Sequence, residues 1–508
     1  MNVRDRSASE TAAALLAALL VVMVSWPLLN GCVETADEAD ITVIGERYPL
    51  SEDGVQALAR FDQAYAGFGV EPGNSRQLKH FRDAYRRIRA SYVAPVTDAQ
   101  LIDAAIEGMR SAERKGEQPL TAVVLVDTAL DAMTASLDPH SIYLDPQELR
   151  EAELATTGEF GGLGIQVTRE ADAIRIISPI EDTPAERAGL KPGDLITHVD
   201  GKPVADMKLV EAVRAMRGEP GTRIRLAVRR EGGTAFDVVI TRAVIAVRPV
   251  RWRIEDDVIY VRVANFNEKT SDALADAFDD IRRQQATAPR GVVLDLRNNP
   301  GGLFDQSLHV ADAFLDDGVI VTMRGRENRR IREFHASAGD LANGLPMVVL
   351  INGGSASASE IVASALQDHG RAVIMGTQSF GKGSVQTVMR LPVEGALKLT
   401  TALYYAPSGQ AIQARGVLPD IELKGGSIPP STSREFDLPH ALPAVGEVGY
   451  RATTRIDVTT CPPDRTAKPD DQDPELECAV ALLRAESPER FVRTLALRPT
   501  GGKPFSRI

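Results

Sequence analysis

Between residues 247 and 425 short apolar runs alternate with amphipathic ones, and this alternation constrains the fold more than any other feature of the chain. "VIYVRVANF" precedes "SDALADAFDDIRRQQ", and "GVVLDLR" leads through "NNPGG" into "LFDQSLHVADAFL". "VIVTMRG" and "MVVLING" follow, and a short loop opens the helix "SASEIVASALQDHG". "RAVIMG" then precedes the Gly-rich stretch "TQSFGKGSVQ". Apolar strands separated by helical crossovers predict an α/β domain on a buried, largely parallel sheet. Such sheets carry their sites on the loops that leave the C-terminal ends of the strands. Two loops of that kind stand out, "NNPGG" (298–302) and "GGSASASE" (353–360).

The flanking segments differ in character. Residues 77–157 read as helical, with Leu78, Phe81, Tyr85 and Ile88 at helix spacing and Thr97 as an N-cap, and with an apparent insertion at 113–129. Residues 158–246 read as a small, mostly β domain with two helices. Residues 33–76 are polar and acidic and read as a tether with one weak helical patch. From 426 to 508 Pro, Ser and Asp rise, and only "PELECAVALLRA" and "PERFVRTLAL" look ordered.

The N-terminus bears on location. "MNVRDR" is cationic, "AAALLAALLVVMVSWPLL" is apolar, and "LNGC" places Gly31 just before Cys32. A charged start, an apolar run and small residues describe an export signal over 1–32. "LNGC" resembles a bacterial lipobox, with Cys32 acylated as the mature N-terminus and the chain held at a membrane. An uncleaved anchor helix is the alternative. In an exported chain the remaining cysteines, Cys461 and Cys478, read as a disulfide. The seven His show no metal-ligand spacing, so no metal and no cofactor is expected. The net charge is −12 with no large basic patch, which argues against a nucleic-acid partner.

"MGTQSFGKGSVQT" contains most of a phosphate-binding loop. Gly383, rather than Ser or Thr, follows Lys382, however, and the alternation of Val385, Thr387 and Met389 predicts a strand where that motif needs a helix. A hairpin with a solvated Lys is the plain reading. The serine loop offers another. Ser357 stands where a strand gives way to a helix, which resembles a nucleophile elbow without its usual sequence. The Ala358 N–H and the helix dipole would favour an oxyanion there. Gly301 and Gly302 have no side chains to keep a carbonyl away, so their N–H groups would supply a second donor. "SASE" also fits a capping box with Ser357 as N-cap and Glu360 at N3, and Ser355 and Ser359 are further candidates. His369 and Asp368 lie on the same helix about 16–18 Å from Ser357, too far to take its proton. That leaves a Lys as base. Lys382 would need its pKa lowered from about 10.4 to about 7–8, roughly 4 kcal/mol of differential destabilisation. The neutral Gln386 can orient the amine.

"SLDPHSIYLDP", "GEFGGLGIQV", "AGLKPGDLITHVDG", "LDLRNNPGG", "SASASEIVASALQD" and "GKGSVQ" together resemble the carboxyl-terminal processing, or tail-specific, proteases over roughly residues 77–425. The resemblance implies a crotonase-like α/β protease core (247–425) with an inserted PDZ domain (158–246) and the N-terminal helical segment. It implies Ser357 as nucleophile, Lys382 as general base, Gln386 as its orienting partner, and oxyanion donors at Ala358, Gly301 and Gly302. It implies a carboxylate-binding loop of Gly161, Gly162, Leu163, Gly164 and Ile165, beside a strand edge that pairs with an extended peptide. The expected partners are exported proteins with unstructured C-termini, and an adaptor protein. The segment beyond about 430 follows no pattern of that family. The competing readings are a membrane-tethered PDZ scaffold with a non-catalytic core, and an acyl-CoA enzyme by fold analogy alone. Cleavage of a peptide, lost in Ser357→Ala, separates the protease from both.

Overall fold

A computed structural model describes residues 50–491 except 70–75, 115–119, 180–182, 206, 208, 231–234, 247, 256, 285–287, 327–330, 426–433, 447–453, 463–471, 486 and 488. The export signal with Cys32 lies outside the described residues. Among the described residues no helix is long and apolar enough to cross a membrane. The chain divides into two compact units, the first formed by residues up to Asp145 together with Gln386–Thr401, the second by Pro146–Val385 and Ala402 onward.

The first unit is mainly helical, with helices Glu52–Ala66, Arg76–Ser91, Asp98–Arg114 and Ala122–Ala135. Leu78, Phe81, Tyr85 and Ile88 all point inward, as their spacing predicts. Thr97 caps the third helix by accepting from the Gln100 N–H at 3.2 Å. Part of the expected tether is a helix. Ser51 caps Glu52–Ala66, and its Phe61 ring stacks on Phe81 with centroids 3.6 Å apart. Its charged face hides that apolar stripe from any average over the segment. The "DPHS" loop is fixed by Asp138, whose Oδ1 accepts from the His140 and Ser141 N–H groups and from Thr400 Oγ1. Strand Ile142–Leu144 then pairs antiparallel with Ala396–Lys398.

The second unit carries the alternating pattern. Its main sheet has seven strands in the order Val250–Glu255, Val258–Val263, Gly291–Asp295, Met347–Ile351, Val373–Gly376, Ile421–Lys424 and Thr454–Asp457. All neighbours are parallel except the first pair. One face, with Val261, Leu294 and Val349, packs on the helices Thr270–Gln284, Phe304–Asp312 and Ala358–Asp368, the last through Ile361 and Leu366. The other face, with Val293, Val348 and Leu350, is covered by the C-terminal helix Pro474–Ala485 through Leu476, Cys478, Ala479 and Leu483. The region expected to be a tail thus supplies the last strand and the helix that covers the second face, and Cys461 and Cys478 are disulfide-bonded.

Strand Val319–Gly325 departs from the parallel pattern. It forms an antiparallel hairpin with Ile331–His335 and pairs on its other side with the stretch 402–405. Five residues between two strands are too few for a parallel crossover, so a hairpin results.

The small domain has a sheet in the order Ile165–Glu170, Ala173–Pro179, Leu195–Val199, Arg223–Arg229 and Phe236–Thr241. Its helices are Pro184–Arg187 and Leu209–Met216, as the sequence leads one to expect. Ile165–Glu170 is an edge strand of this sheet.

Candidate active site

Three loops meet at the C-terminal ends of adjacent strands. The loop after Gly291–Asp295 carries Asn298–Gly302, the loop after Met347–Ile351 carries Asn352–Ser357, and the loop after Val373–Gly376 carries Thr377–Gly383. They are laced by backbone and side-chain hydrogen bonds. The Ala356 N–H donates to Asn299 O at 3.0 Å, and the Phe380 N–H donates to Ser355 O at 3.0 Å.

The three serines of the central loop have different fates. Ser355 is fully buried and its Oγ donates to Leu296 O at 2.8 Å. Ser359 is fully buried and its Oγ donates to Asn299 O at 2.9 Å. The Ser359 hydroxyl holds the neighbouring "NNPGG" loop and the Ser355 hydroxyl the strand end that leads into it. Ser357 is only half-buried, has φ 54 and ψ −113, and makes no side-chain cap hydrogen bond, although the N3 Glu360 accepts from its N–H. A positive φ at a non-glycine residue is strained, and the strand-to-helix turn it creates is the geometry of a nucleophile elbow. Ser357 and Glu360 thus stand as N-cap and N3 of a capping box, whose firm bond is the one Glu360 accepts from the Ser357 N–H.

Ala358 opens the helix, so its N–H has no intrahelical acceptor. A Cβ on Gly301 would lie 2.9 Å from Ser357 Cβ and 3.0 Å from Ala358 N, so only glycine lets the two loops approach this closely. The Gly301 N–H, expected as an oxyanion donor, is instead spent on Asn299 Oδ1 at 2.9 Å. Asn299 sits two residues back, where an Asx side chain reaches the backbone by itself. Gly302 bridges to Phe266 through the Phe266 and Leu303 N–H groups, which leaves the Gly302 N–H out of that bridge.

Lys382 is half-buried on the third loop. Its N–H donates to Glu360 Oε2 at 2.9 Å, the same oxygen that takes the Ser357 N–H at 2.7 Å. Glu360 Oε1 accepts from Ser379 Oγ at 2.6 Å and from the Gly381 N–H at 2.7 Å. Glu360 is entirely buried, and burial pushes its carboxyl up to about 7 against the pull of those four hydrogen bonds. From the sequence Glu360 reads only as a cap, because its partners on the third loop are more than eighteen residues away in the chain. His369 is the C-cap of the helix, and its Nε2 meets Val319 O at 2.7 Å. Asp368 accepts from the Ser408 N–H at 3.0 Å. Gln386 belongs to the first unit, where its Nε2 lies 3.4 Å from Thr400 Oγ1.

The C-terminal region reinforces two of these loops. Arg297, at the start of "NNPGG", is buried and paired with Asp295, Asp473 and Glu475. Arg434 Nη1 donates to Ser379 O at 2.6 Å and the Glu435 N–H to Phe380 O at 3.2 Å. The Gly383 N–H donates to Gln413 Oε1, and Gln413 Nε2 donates to Glu435 Oε1.

In the small domain Gly161 and Gly162 lie in a strand paired with Ala243–Ala246. Leu163 and Gly164 make the turn into the edge strand that Ile165 begins, and Gly164 has φ 78. Leu163 packs in the domain core with Ala212 and Met216 of the helix Leu209–Met216.

A serine at a strand-to-helix turn, with backbone N–H donors beside it and a lysine loop tied to the same carboxylate, defines the class of serine hydrolases that act on carbonyl groups. Peptidase family S41 matches residues 257–423, and a PDZ domain matches residues 175–230. The carboxy-terminal-processing protease of Bartonella bacilliformis is 48% identical over 353 residues, covering 69% of this chain and 76% of that protein. The carboxy-terminal processing protease CtpA of Bacillus subtilis is 34% identical over 340 residues, 67% of each chain. The solved photosystem II D1 C-terminal processing protease is 29% identical, with a TM-score of 0.47 over 69% of this chain and 94% of that one. The chain belongs to the carboxy-terminal processing proteases of peptidase family S41 and is a serine-type peptidase with a PDZ domain.

Proposed function

We propose that the protein is an endopeptidase that cleaves exported proteins at or near their C-terminal tails with a Ser357–Lys382 dyad. The observation that carries this reading is the shared oxygen of Glu360, which joins the backbone of a strained, half-buried Ser357 to that of Lys382. Neutral Lys382 takes the Ser357 hydroxyl proton as Oγ attacks the peptide carbonyl, and the oxyanion forms against the Ala358 and Gly302 N–H groups. Collapse expels the amine, which takes the proton back from Lys382. Water, deprotonated in turn by Lys382, then releases the acyl group from Ser357. Gln386 orients the lysine amine in this scheme.

The small domain supplies selectivity. A terminal carboxylate is captured by the N–H groups of the turn around Leu163, Gly164 and Ile165, and the preceding peptide pairs with the edge strand Ile165–Glu170. Cys32 anchors the exported chain to a membrane through an acyl group, and an adaptor presents some substrates. Cleavage of paired peptides that differ only in a free or amidated C-terminus tests the proposal. Charge-assisted hydrogen bonds of roughly 1.5–3 kcal/mol each predict about a tenfold or larger fall in kcat/KM on amidation. The difference should vanish when residues 158–246 are deleted. Equal cleavage of both peptides by the intact protein contradicts tail capture.

A further inference from the structure

We propose that Glu360 is a positioning residue that holds Ser357 and Lys382 in register, and that it does so only as a carboxylate. The inference rests on the dyad reading above and adds a residue to it. Every group that faces the Glu360 carboxylate is a donor. Oε1 takes Ser379 Oγ and the Gly381 N–H, and Oε2 takes the N–H groups of Ser357 and Lys382. Two bonds therefore come from the backbones of the two reacting residues, and the other two from the loop that carries the lysine.

A proton on Oε2 meets only N–H donors, those of Ser357 and Lys382. A proton on Oε1 has one acceptor, Ser379 Oγ, which keeps a second lone pair beside the Val417 N–H at 2.6 Å but must then turn its own hydroxyl away from Glu360. Protonation thus opposes donors on Oε2 or reverses the Ser379 bond on Oε1, and either weakens the set of four. The charged groups around the site are few. Arg434, bonded to Ser379 O, is an attractive partner of Glu360 from the C-terminal segment, and Lys382 lies on the loop itself. Glu435 faces Gln413, and Asp368 is at the far end of the Glu360 helix, bonded to Ser408. A cap at N3 explains the bond to Ser357, but not the three bonds to residues 379, 381 and 382. A carboxyl pushed up to about 7 by burial titrates in the neutral range, where the loop can respond.

The experiment reads the loop without the reaction. Hydrogen exchange is followed by mass spectrometry on peptides spanning 377–387 in the full chain carrying Ser357→Ala. After correction for intrinsic exchange rates, protection of this segment should fall about tenfold or more between pH 8.5 and pH 5.5, centred near 7. Glu360→Gln in the same background, which replaces one acceptor by a donor, should show the low protection at both pH values. With Ser357 restored, Glu360→Gln should lower kcat more than it raises KM, and Glu360→Asp, which keeps the charge, should recover part of the loss. Protection that does not change with pH in the Ser357→Ala protein overturns the proposal, whether or not Glu360→Gln folds, and so does an unchanged kcat in a folded Glu360→Gln protein. A Lys382→Ala enzyme that still cleaves would remove the dyad reading instead, and would leave the exchange result standing.

Discussion

Ser357 sets local backbone preference against the fold that surrounds it. Its φ of 54 and ψ of −113 are unfavourable for any residue with a Cβ, and it is held there because Ser355 and Ser359 donate to the neighbouring loop while Glu360 accepts its N–H. Strain of this kind costs of order 1–3 kcal/mol. Glycine adopts the conformation without it. Ser357→Gly and Ser357→Ala should both be inactive, but the glycine variant should unfold at higher urea than the alanine variant, by about 1 kcal/mol in unfolding free energy. Equal midpoints, or a more stable alanine variant, would mean that the turn is unstrained. Glu360 shows the same tension between stability and function in its charge. Its folded pKa is raised above the ordinary value, so its contribution to stability is full below about 4.5 and is lost as the pH rises through about 7. The ionised form that orders the lysine loop is the one that costs global stability.

At the scale of elements, the parallel core was legible because its strands are apolar on both faces and its crossover helices are amphipathic, as in Gly291–Asp295 and Thr270–Gln284. Three elements were legible only in part, or not at all, for identifiable reasons. Val319–Gly325 reads like its neighbours, but the short connection to Ile331–His335 decides its pairing. Glu52–Ala66 showed only as a weak helical patch, because its balanced composition masks a buried stripe of Ala57, Leu58, Phe61 and Tyr65. Thr454–Asp457 is four residues with one buried side chain, Ile456, and its pairing with Ile421–Lys424 depends on contacts far away in sequence. In the site, the serine loop and the glycine loop were visible as motifs, whereas the Asn299 bond to Gly301 and the Glu360 shell exist only after folding. The Cys461–Cys478 bridge ties the last strand region to the helix that covers Val293 and Val348, across a separation of 17 residues. Closing a loop of that size is worth about 3 kcal/mol. The Cys461→Ser, Cys478→Ser double variant should lose about that much unfolding free energy in urea, and an undiminished stability would show that the helix docks without the bridge.

At the scale of the whole molecule, one sheet is used twice. Its C-terminal edge gathers the loops of Asn298–Gly302, Ser357 and Lys382, and its far face is sealed by the C-terminal helix whose Glu475, with Asp473 just before it, grips Arg297 at the root of the glycine loop. The small domain is inserted before this core and ends in strands that feed it directly. In the proposed function Ser357 and Lys382, without a histidine, perform the cleavage. This is tested most directly by kcat/KM on a single free-acid peptide for Ser357→Ala, Lys382→Ala and His369→Ala, each shown to be folded by circular dichroism. Loss of a nucleophile or its base should cost about 10⁴-fold or more, whereas His369, bonded to Val319 O at the far end of the helix, should stay within about threefold of the parent. A folded His369→Ala protein as inactive as Ser357→Ala, or a Lys382→Ala protein that retains activity, would contradict the account.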